Sequence, residues 1–190
     1  AGTPWYLTLF GRDSIWAARL TLPFGTTLAG GTLRTLARRQ GRRTDPQSAE
    51  EPGKILHEVR RTTFADPSSS LSLPPLYYGT VDATALWVCL LHDAWRWGLP
   101  EAEVRALLPA LVDAMSWVVA SERAGDGLLR YEDATGVGLS NQGWKDSGDA
   151  MRRRDGSIAP APIALVETMG YAAEAARKAA VLLAHLEPGL

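Results

Sequence analysis

Hydrophobic residues recur at helical spacing along most of the chain. In 101–122 they fall on one face of a helix, at Val104, Leu107, Leu108, Leu111, Met115, Val118 and Val119. Segment 81–97 is apolar on nearly every side, which predicts a helix buried by several neighbours. Shorter patterns predict helices over 13–22 and 26–40, and an alanine-rich pattern predicts one over 162–186.

Signals for helix ends support these boundaries. Gly98 and Pro100 end the apolar helix, and Pro100 with Glu101 begins the next one. Asp82 precedes the apolar helix, where a carboxylate is expected to cap it. The pair Gly30-Gly31 is unfavourable inside the helix predicted over 26–40.

No segment alternates apolar and polar residues over more than a few positions, so the predicted fold class is all-α. Three long connections remain, at 41–80, 122–145 and 148–160. Connections of that length are uncommon in a compact domain unless they serve a site or are mobile. Short links on one side and long polar links on the other predict a helical ring with a cleft at one end.

Composition narrows the class of protein. The chain has 190 residues, 46% of them hydrophobic, which is enough for one domain with a core and argues against disorder. A net charge of -1 argues against a nucleic-acid partner. Cys89 is the single cysteine, so no internal disulfide can form, and its apolar surroundings predict a buried, inert thiol.

Two features suggest where the protein works. No apolar run approaches the roughly 20 residues of a membrane span, and the sequence begins without a basic-then-apolar signal region. We therefore expect no membrane partner and a cytoplasmic location, although a segment before Ala1 could have carried a signal.

Polar and aromatic residues cluster at helix starts and in the connections before them. They are Trp5, Arg12, Asp13, Glu51, Lys54, His57, Glu58, Tyr77, Tyr78, Asp82, Trp144, Lys145, Asp146 and Glu167. If alternate connections share one end of the bundle, these side chains converge on one pocket. Carboxylates and guanidinium groups bind hydroxyls, and aromatic faces stack on pyranose rings, so this composition indicates a sugar site.

Simpler interpretations exist for several of these segments. In "FGRDS" (10–14), Asp13 or Ser14 could cap a helix while Arg12 pairs with a surface acid. "EEPGKILHEVR" (51–61) could be an amphipathic surface helix, and its adjacent His and Glu lack the spacing of a helical zinc site.

Two further segments also have simpler interpretations. "YYGTVDAT" (77–84) could anchor a loop or form the wall of a sugar subsite. Asp126-Gly127 indicates a turn, because the alternating ligands of a calcium loop are absent.

The segment "SNQGWKDSGDAM" (140–151) is the hardest to explain structurally. A glycosidic general acid must be protonated at neutral pH, and an indole such as Trp144 raises the pKa of a neighbouring carboxyl by desolvation. Lys145 acts in the other direction, unless it turns toward substrate or Asp149. The alternative is a polar loop in which Asp146 caps a helix.

Five motifs occur in one order: "PWYLTLFGRDS", "EEPGKILHEVR", "YYGTVDAT", "NQGWKDSGDAM" and "PIALVETMGY". With them the chain resembles the amylo-α-1,6-glucosidase and glycogen-debranching-type family of (α/α)6 glycosidases, particularly bacterial proteins with a glycogen-debranching N-terminal domain. No single motif is decisive, whereas five in order are fairly specific.

The resemblance implies an inverting hydrolase whose active site opens at one end of six helical hairpins. A Trp-x-Asp element carries the general acid in related enzymes, which makes Asp146 the expected acid. Arg12 and Asp13 resemble the pair that holds hydroxyls of the terminal sugar. The other expected substrate-binding residues are Trp5, Glu58, Tyr78, Asp82, Trp144, Lys145 and Glu167. This chemistry requires neither a metal nor an organic cofactor.

The chain departs from the family pattern in length. Residues 1–190 match about the first half of the toroid as one partial catalytic domain, and neither the usual general base nor the preceding β-rich domain has a counterpart. The expected partners are an α-glucan or oligosaccharide and that missing remainder. The alternatives are a trehalase-like or glucosylglycerate-type hydrolase, a non-catalytic carbohydrate-binding module, and a purely structural ring.

Overall fold

The computed structural model describes residues 8–187, and most of this part is helical. The predicted residue Trp5 lies outside it. The helices are α1 (Gly11–Leu20), α2 (Thr27–Ala37), α3 (Ala83–Arg96), α4 (Glu101–Arg105), α5 (Leu108–Ala124) and α6 (Val166–Leu186). They occupy the segments in which the sequence predicts helices.

Helix α3 is the centre of the core. Residues 83–91 are all buried, and α3 packs against α1, α2, α5 and α6. Trp87 lies in its middle and donates its indole N–H to the carbonyl of Leu33 in α2, at 3.2 Å. Burial raises the pKa of the Cys89 thiol to about 12. The predictions of a helix buried on several sides and of a buried thiol are both confirmed.

Helices α1, α3 and α6 run parallel. Arg12 at the start of α1 pairs with Asp82 immediately before α3, while Arg19 at the end of α1 pairs with Asp93 near the end of α3. Lys178 of α6 also contacts Asp93. These contacts place the starts of three helices at one end of the molecule and bring their later turns together toward the other.

Helices α2 and α5 return in the opposite direction. A short connection over 21–26 turns α2 back along α1. The end of α5 lies near the start of α3, because Gly125 and Thr80 line the same cleft. Two helical hairpins result, α1 with α2 and α3 with α5.

The helix predicted over 101–122 is not continuous. The pattern over 101–122 forms α4 and α5, with a break at Ala106 and Leu107. Pro109 lies in the first turn of α5, where its missing N–H costs nothing, whereas inside one continuous helix it would remove a hydrogen bond and clash with the preceding turn. Val119, predicted on the buried face, is 37% exposed.

Gly30 has a packing role inside α2. A Cβ at this position would lie 3.1 Å from Cδ1 of Leu99, so glycine lets α2 approach the connection that follows α3. Gly31 faces open space, and a side chain there would meet no neighbour within 4 Å. The unfavourable pair is therefore explained at Gly30 only.

The expectation of an entirely helical fold is corrected by seven two-residue strands in the described part. β1 (Leu9–Phe10), β2 (Glu58–Val59) and β5 (Leu76–Tyr77) form an antiparallel sheet in the order β1-β2-β5. Two smaller pairs are β3 (Phe64–Ala65) with β4 (Ser72–Leu73), and β6 (Arg130–Tyr131) with β7 (Ile163–Ala164). Two residues cannot display an alternating pattern. The alternative of a surface helix over 51–61 is also wrong, because this segment contains β2 and no helix.

None of the helices in residues 8–187 combines the length and the apolar character that a bilayer-spanning segment needs.

Candidate functional site

The starts of α1, α3 and α6 bring carboxylates to one end of the molecule. Asp13 lies in the first turn of α1, Asp82 occupies the N-cap position of α3, and Glu167 lies in the first turn of α6. The N-terminus of a helix carries partial positive charge, which favours carboxylates at these three places. Predicted site residues from three distant segments therefore share one end.

A buried ion pair joins α1 to α3 at this end. Arg12 Nη1 donates to Asp82 Oδ2 at 2.9 Å, and the Thr80 hydroxyl donates to Asp82 Oδ1 at 2.8 Å. Burial raises the pKa of the Asp82 carboxyl, although Arg12 and Thr80 act against it. The capping hydrogen bond expected of Asp82 is absent: the residue occupies the N-cap position, but its oxygens accept from Arg12 and Thr80 instead.

Arg12 retains donors for another partner. The alternative in which it pairs with a surface acid is wrong, since the Asp82 side chain is only 1% exposed. A guanidinium has five N–H donors, and within residues 8–187 one of them is used. Asp13 beside it is exposed and makes no hydrogen bond or ion pair to another described residue.

His57 lies next to the start of α1, close to Arg12, and its ring is neutral. Its carbonyl accepts the N–H of Gly11 at 2.8 Å, and its ring packs edge-on against Phe10 and Tyr77. Burial, together with the charges of Arg12 and Arg60, lowers the pKa of His57 to about 3. The ring is therefore uncharged at neutral pH.

Tyr171 belongs to the same neighbourhood and was missed by sequence reasoning. It follows Glu167 by four residues, so both side chains lie on one face of α6. Burial and the charges of Asp82 and Glu167 raise the pKa of Tyr171. Glu167 makes no hydrogen bond or ion pair to another residue of the described chain. The four-residue spacing in "ETMGY" was the available signal.

Two other predicted binding residues have internal roles. Glu58 is 1% exposed and accepts from Arg60 Nε at 2.7 Å. Tyr78 is 2% exposed and donates its hydroxyl to the carbonyl of Arg39, just beyond α2, at 2.7 Å. Tyr78 therefore anchors the chain, and its interpretation as a subsite wall is not supported. Tyr77 points to the other side, as neighbours in an extended chain do, and its hydroxyl accepts the N–H of Leu139.

The segment carrying Asp146 is attached between the starts of α3 and α6. Val81 donates its N–H to the carbonyl of Gln142 at 3.0 Å. A Cβ on Gly143 would lie 2.3 Å from Cδ1 of Leu165, the residue before α6, so any larger residue there would force the Leu165 side chain to move. Asp146 follows Gln142 by four residues, which limits their Cα separation to about 14 Å.

Buried amides fix the shape of this segment. Asn141 Nδ2 donates to the carbonyl of Ser147 at 2.6 Å, and the hydroxyl of Tyr131 donates to Asn141 Oδ1 at 3.1 Å. Gln142 Nε2 donates to the carbonyl of Glu132 at 3.1 Å. These bonds close residues 141–147 into a short loop, hereafter the acid loop.

The tip of the acid loop faces solvent. Trp144 is 64% exposed, and Lys145 and Asp146 are exposed as well. Asp146 makes no hydrogen bond or ion pair to any other residue between 8 and 187. The expected shielding of its carboxyl by the indole is absent. Asp149 pairs with Arg152 at 3.2 Å, so the suggested contact with Lys145 does not form.

A cleft of about 890 Å³ adjoins this end, between α5 and the connection before β2. Neither the expected general acid nor any expected substrate-binding residue between 8 and 187 lines it, but Glu51 and Lys54 of the predicted polar cluster do, together with Thr80 and Gln142. On its wall, Glu51 accepts from Lys54 at 2.9 Å and from the indole N–H of Trp117 at 3.0 Å. Burial lowers the pKa of Lys54, against the effect of Glu51. Glu51 and Lys54 thus belong to this cleft rather than to the helix starts.

The described residues offer no metal site, and comparisons with known proteins give no match. Within residues 8–187, no three His, Cys, Asp or Glu side chains are grouped so that they could hold a metal ion. No protein-family model matches the chain, and no curated protein matches it significantly.

Proposed function

We propose that this chain is part of a glycoside hydrolase that cleaves α-glucosidic linkages with inversion, and that Asp146 is its general acid. The attachment of the acid loop beside the Arg12–Asp82 pair carries the proposal. Val81, which binds the loop at Gln142, directly precedes Asp82, and Asp146 follows Gln142 by four residues, which supports an approach of this acid to the polar helix starts. The motifs that resemble debranching-type glycosidases contain the same residues.

The acid loop supplies the proton in this mechanism. Asp146 protonates the leaving oxygen, while a second carboxylate about 6.5–9.5 Å away activates water on the opposite face of the sugar. We expect that base in the remainder of the enzyme. A sugar lying against Trp144 excludes water from the acid, which compensates for the exposure of this tip.

The polar end of α1, α3 and α6 binds the sugar. The unused donors of Arg12 bind hydroxyls of the terminal residue, and Asp13 and Glu167 accept from others. Asp82 acts through Arg12, because its carboxylate binds the guanidinium group and fixes its position. In this scheme Glu58 and Tyr78 support the site without touching substrate.

A larger helical ring accommodates the third parallel helix. Helices α1 and α3 are each followed by a helix that returns along them, whereas α6, which packs against α3 and α5, is followed by none in the described chain. The exposed face of α6 is made mainly of small or apolar residues, which are Val166, Gly170, Ala173, Ala176, Ala180, Val181 and Ala184. An uncovered apolar face typically marks a contact surface. We infer that a further helix of an (α/α)6 toroid covers it.

Hydrolysis by the complete protein tests the role of Asp146. Asp146→Asn should lower kcat about 10²- to 10⁴-fold on the best substrate from a panel of α-glucosides and limit dextrin, with sugar affinity retained. The matched control is Asp149→Asn, which changes a nearby exposed acid and should leave kcat within about twofold of wild type. NMR should show the inverted anomer as first product.

Other outcomes assign other functions. Turnover near the wild-type level in Asp146→Asn removes this residue from the acid role. Preferential cleavage of trehalose or glucosylglycerate, rather than of branched glucans, identifies one of the alternative hydrolases. Sugar binding without turnover in the complete wild-type protein supports a carbohydrate-binding module.

A further inference from the structure

A second cavity, of about 640 Å³, lies between α2, α4 and the first turn of α5. None of the predicted site residues in 8–187 lines it. Its apolar walls are Ala37, Ala102, Ala106, Leu107, Pro109 and Ala110. This volume lies within the range of about 300–1,000 Å³ that is typical of small-molecule sites.

Three arginines line the cavity at intervals of four residues. Arg34 is paired with Glu103. The guanidinium groups of Arg38 and Arg42 make no hydrogen bond or ion pair to another residue in the described part of the chain. Asp113 is the remaining acid in the wall. The unpaired cations therefore outnumber the unpaired acid, and the cavity is positively charged although the chain is not.

The start of α5 adds to this positive charge. The helix has 17 residues, no side-chain cap at its N-terminus and no acidic residue in its first turn. Pro109 and Ala110 of that turn line the cavity. A helix N-terminus attracts anions through its unpaired N–H groups and its dipole. The two arginines and this helix end both favour an anionic group. The apolar cavity walls favour an uncharged part of the same ligand.

We propose that the cavity binds a small molecule that carries a phosphate group. Arg38 and Arg42 bind the phosphate, whose dianion matches two guanidinium groups and accepts several hydrogen bonds at once. The rest of the ligand lies against Ala106 and Leu107. A bare phosphate ion would leave most of this volume empty, so the ligand has a substantial uncharged part. This site is independent of the proposed hydrolase function.

Titration of the 190-residue chain with phenyl phosphate tests the proposal, by calorimetry and by chemical shifts of the ¹⁵N-labelled protein at low ionic strength. We expect saturable binding that is tighter than that of inorganic phosphate, benzoate or phenol. Arg38→Gln with Arg42→Gln should weaken binding at least about tenfold. Both side chains are exposed, so the fold should persist, which circular dichroism checks.

The matched control replaces two exposed arginines elsewhere, Arg123→Gln with Arg177→Gln. It makes the same change in net charge and should leave the affinity unaltered. An equal loss in both double variants would show a general charge effect and overturn the site. Equal affinity for benzoate would overturn the phosphate assignment, and absence of saturable binding by phenyl phosphate would overturn the proposal itself.

Discussion

The two ends of the parallel helices α1, α3 and α6 use charge differently. At their starts, Arg12 and Asp82 form a buried pair, while Asp13 and Glu167 have no partner in the described chain. Toward the other end, a network joins all three helices, and each charge in it faces an opposite one. Its members are Arg19, Asp93, Glu174 and Lys178.

The pKa values of one acid at each end show whether burial or the neighbouring cations dominate. At Asp82, almost complete burial outweighs one cation, and the pKa is raised. Burial also acts to raise the pKa of Asp93, but its side chain is 18% exposed, and Lys178, His92 and Arg19 together lower the pKa. A network in which every charge is paired holds helices in register. Charged groups without a partner remain available to bind a ligand. This difference is why we place the site at the helix starts.

The largest expected effect on stability is at the helix starts. Arg12→Met should lower the free energy of unfolding by about 3–5 kcal/mol, because it leaves the Asp82 carboxylate buried without a cation. Urea denaturation at neutral pH measures this loss. Adding Asp82→Asn should restore part of the stability, since the uncompensated charge is then gone. A loss below about 1 kcal/mol would mean that the pair is not buried as described.

Acid should destabilise the helix starts next. The unfolded chain protonates His57 near its ordinary pKa of 6.5, but the folded chain does so only near about 3. Stability from this residue is therefore complete above pH 6.5 and is lost as the pH falls toward 3, by about 1.4 kcal/mol for each unit of pKa difference. His57→Phe, which keeps a ring between Phe10 and Tyr77, should reduce the slope of unfolding free energy against pH.

His185→Phe is the control for this pH dependence. His185 is exposed, so the same substitution there should change the slope less than His57→Phe does. Equal slopes in wild type and His57→Phe would show that the folded protein protonates His57 as readily as the unfolded chain does.

Breaking the saturated network should cost less. Arg19→Met removes two ion pairs whose side chains are 18–27% exposed. Lys178 remains beside both acids, so we expect a loss of about 1–2 kcal/mol in the free energy of unfolding. Thermal and urea denaturation measure it under the conditions used for Arg12→Met. A larger loss than at Arg12 would reverse the comparison between the two ends.

Salt should produce the smallest difference. Near 1 M ionic strength the Debye length is about 3 Å, so partly exposed pairs are screened far more than buried ones. The destabilisation caused by Arg19→Met should shrink by a few tenths of a kcal/mol in high salt, while that of Arg12→Met stays constant. Parallel shrinkage in both variants would show that both ends are equally open to solvent.

Several features of the fold were predictable because they are local. The periodicity of 81–97 identified the buried helix, and the turn at Asp126 and Gly127 forms with positive φ at both residues. The break between α4 and α5, just before Pro109, could also have been predicted from that proline, but the long amphipathic pattern concealed it. The two-residue strands left no pattern to detect.

The candidate site was predictable only as a set of residue types. The sequence identified Arg12, Asp82 and Glu167 as chemically unusual, but could not say which partner each would have. Tyr78 was expected in a binding wall, and its hydroxyl instead holds the carbonyl of Arg39. The sequence indicated no role for Asn141, although this residue closes the acid loop.

The sequence by itself determined the helices, the buried thiol and the absence of an internal disulfide, because these follow from local spacing and from a single cysteine. The tertiary structure alone decided that Arg12 meets Asp82, 70 residues away, and that Glu51 and Lys54 line a separate cleft. Contacts between distant residues depend on how whole helices pack and on which way each side chain points. Neither quantity is encoded in the spacing of neighbours along the chain.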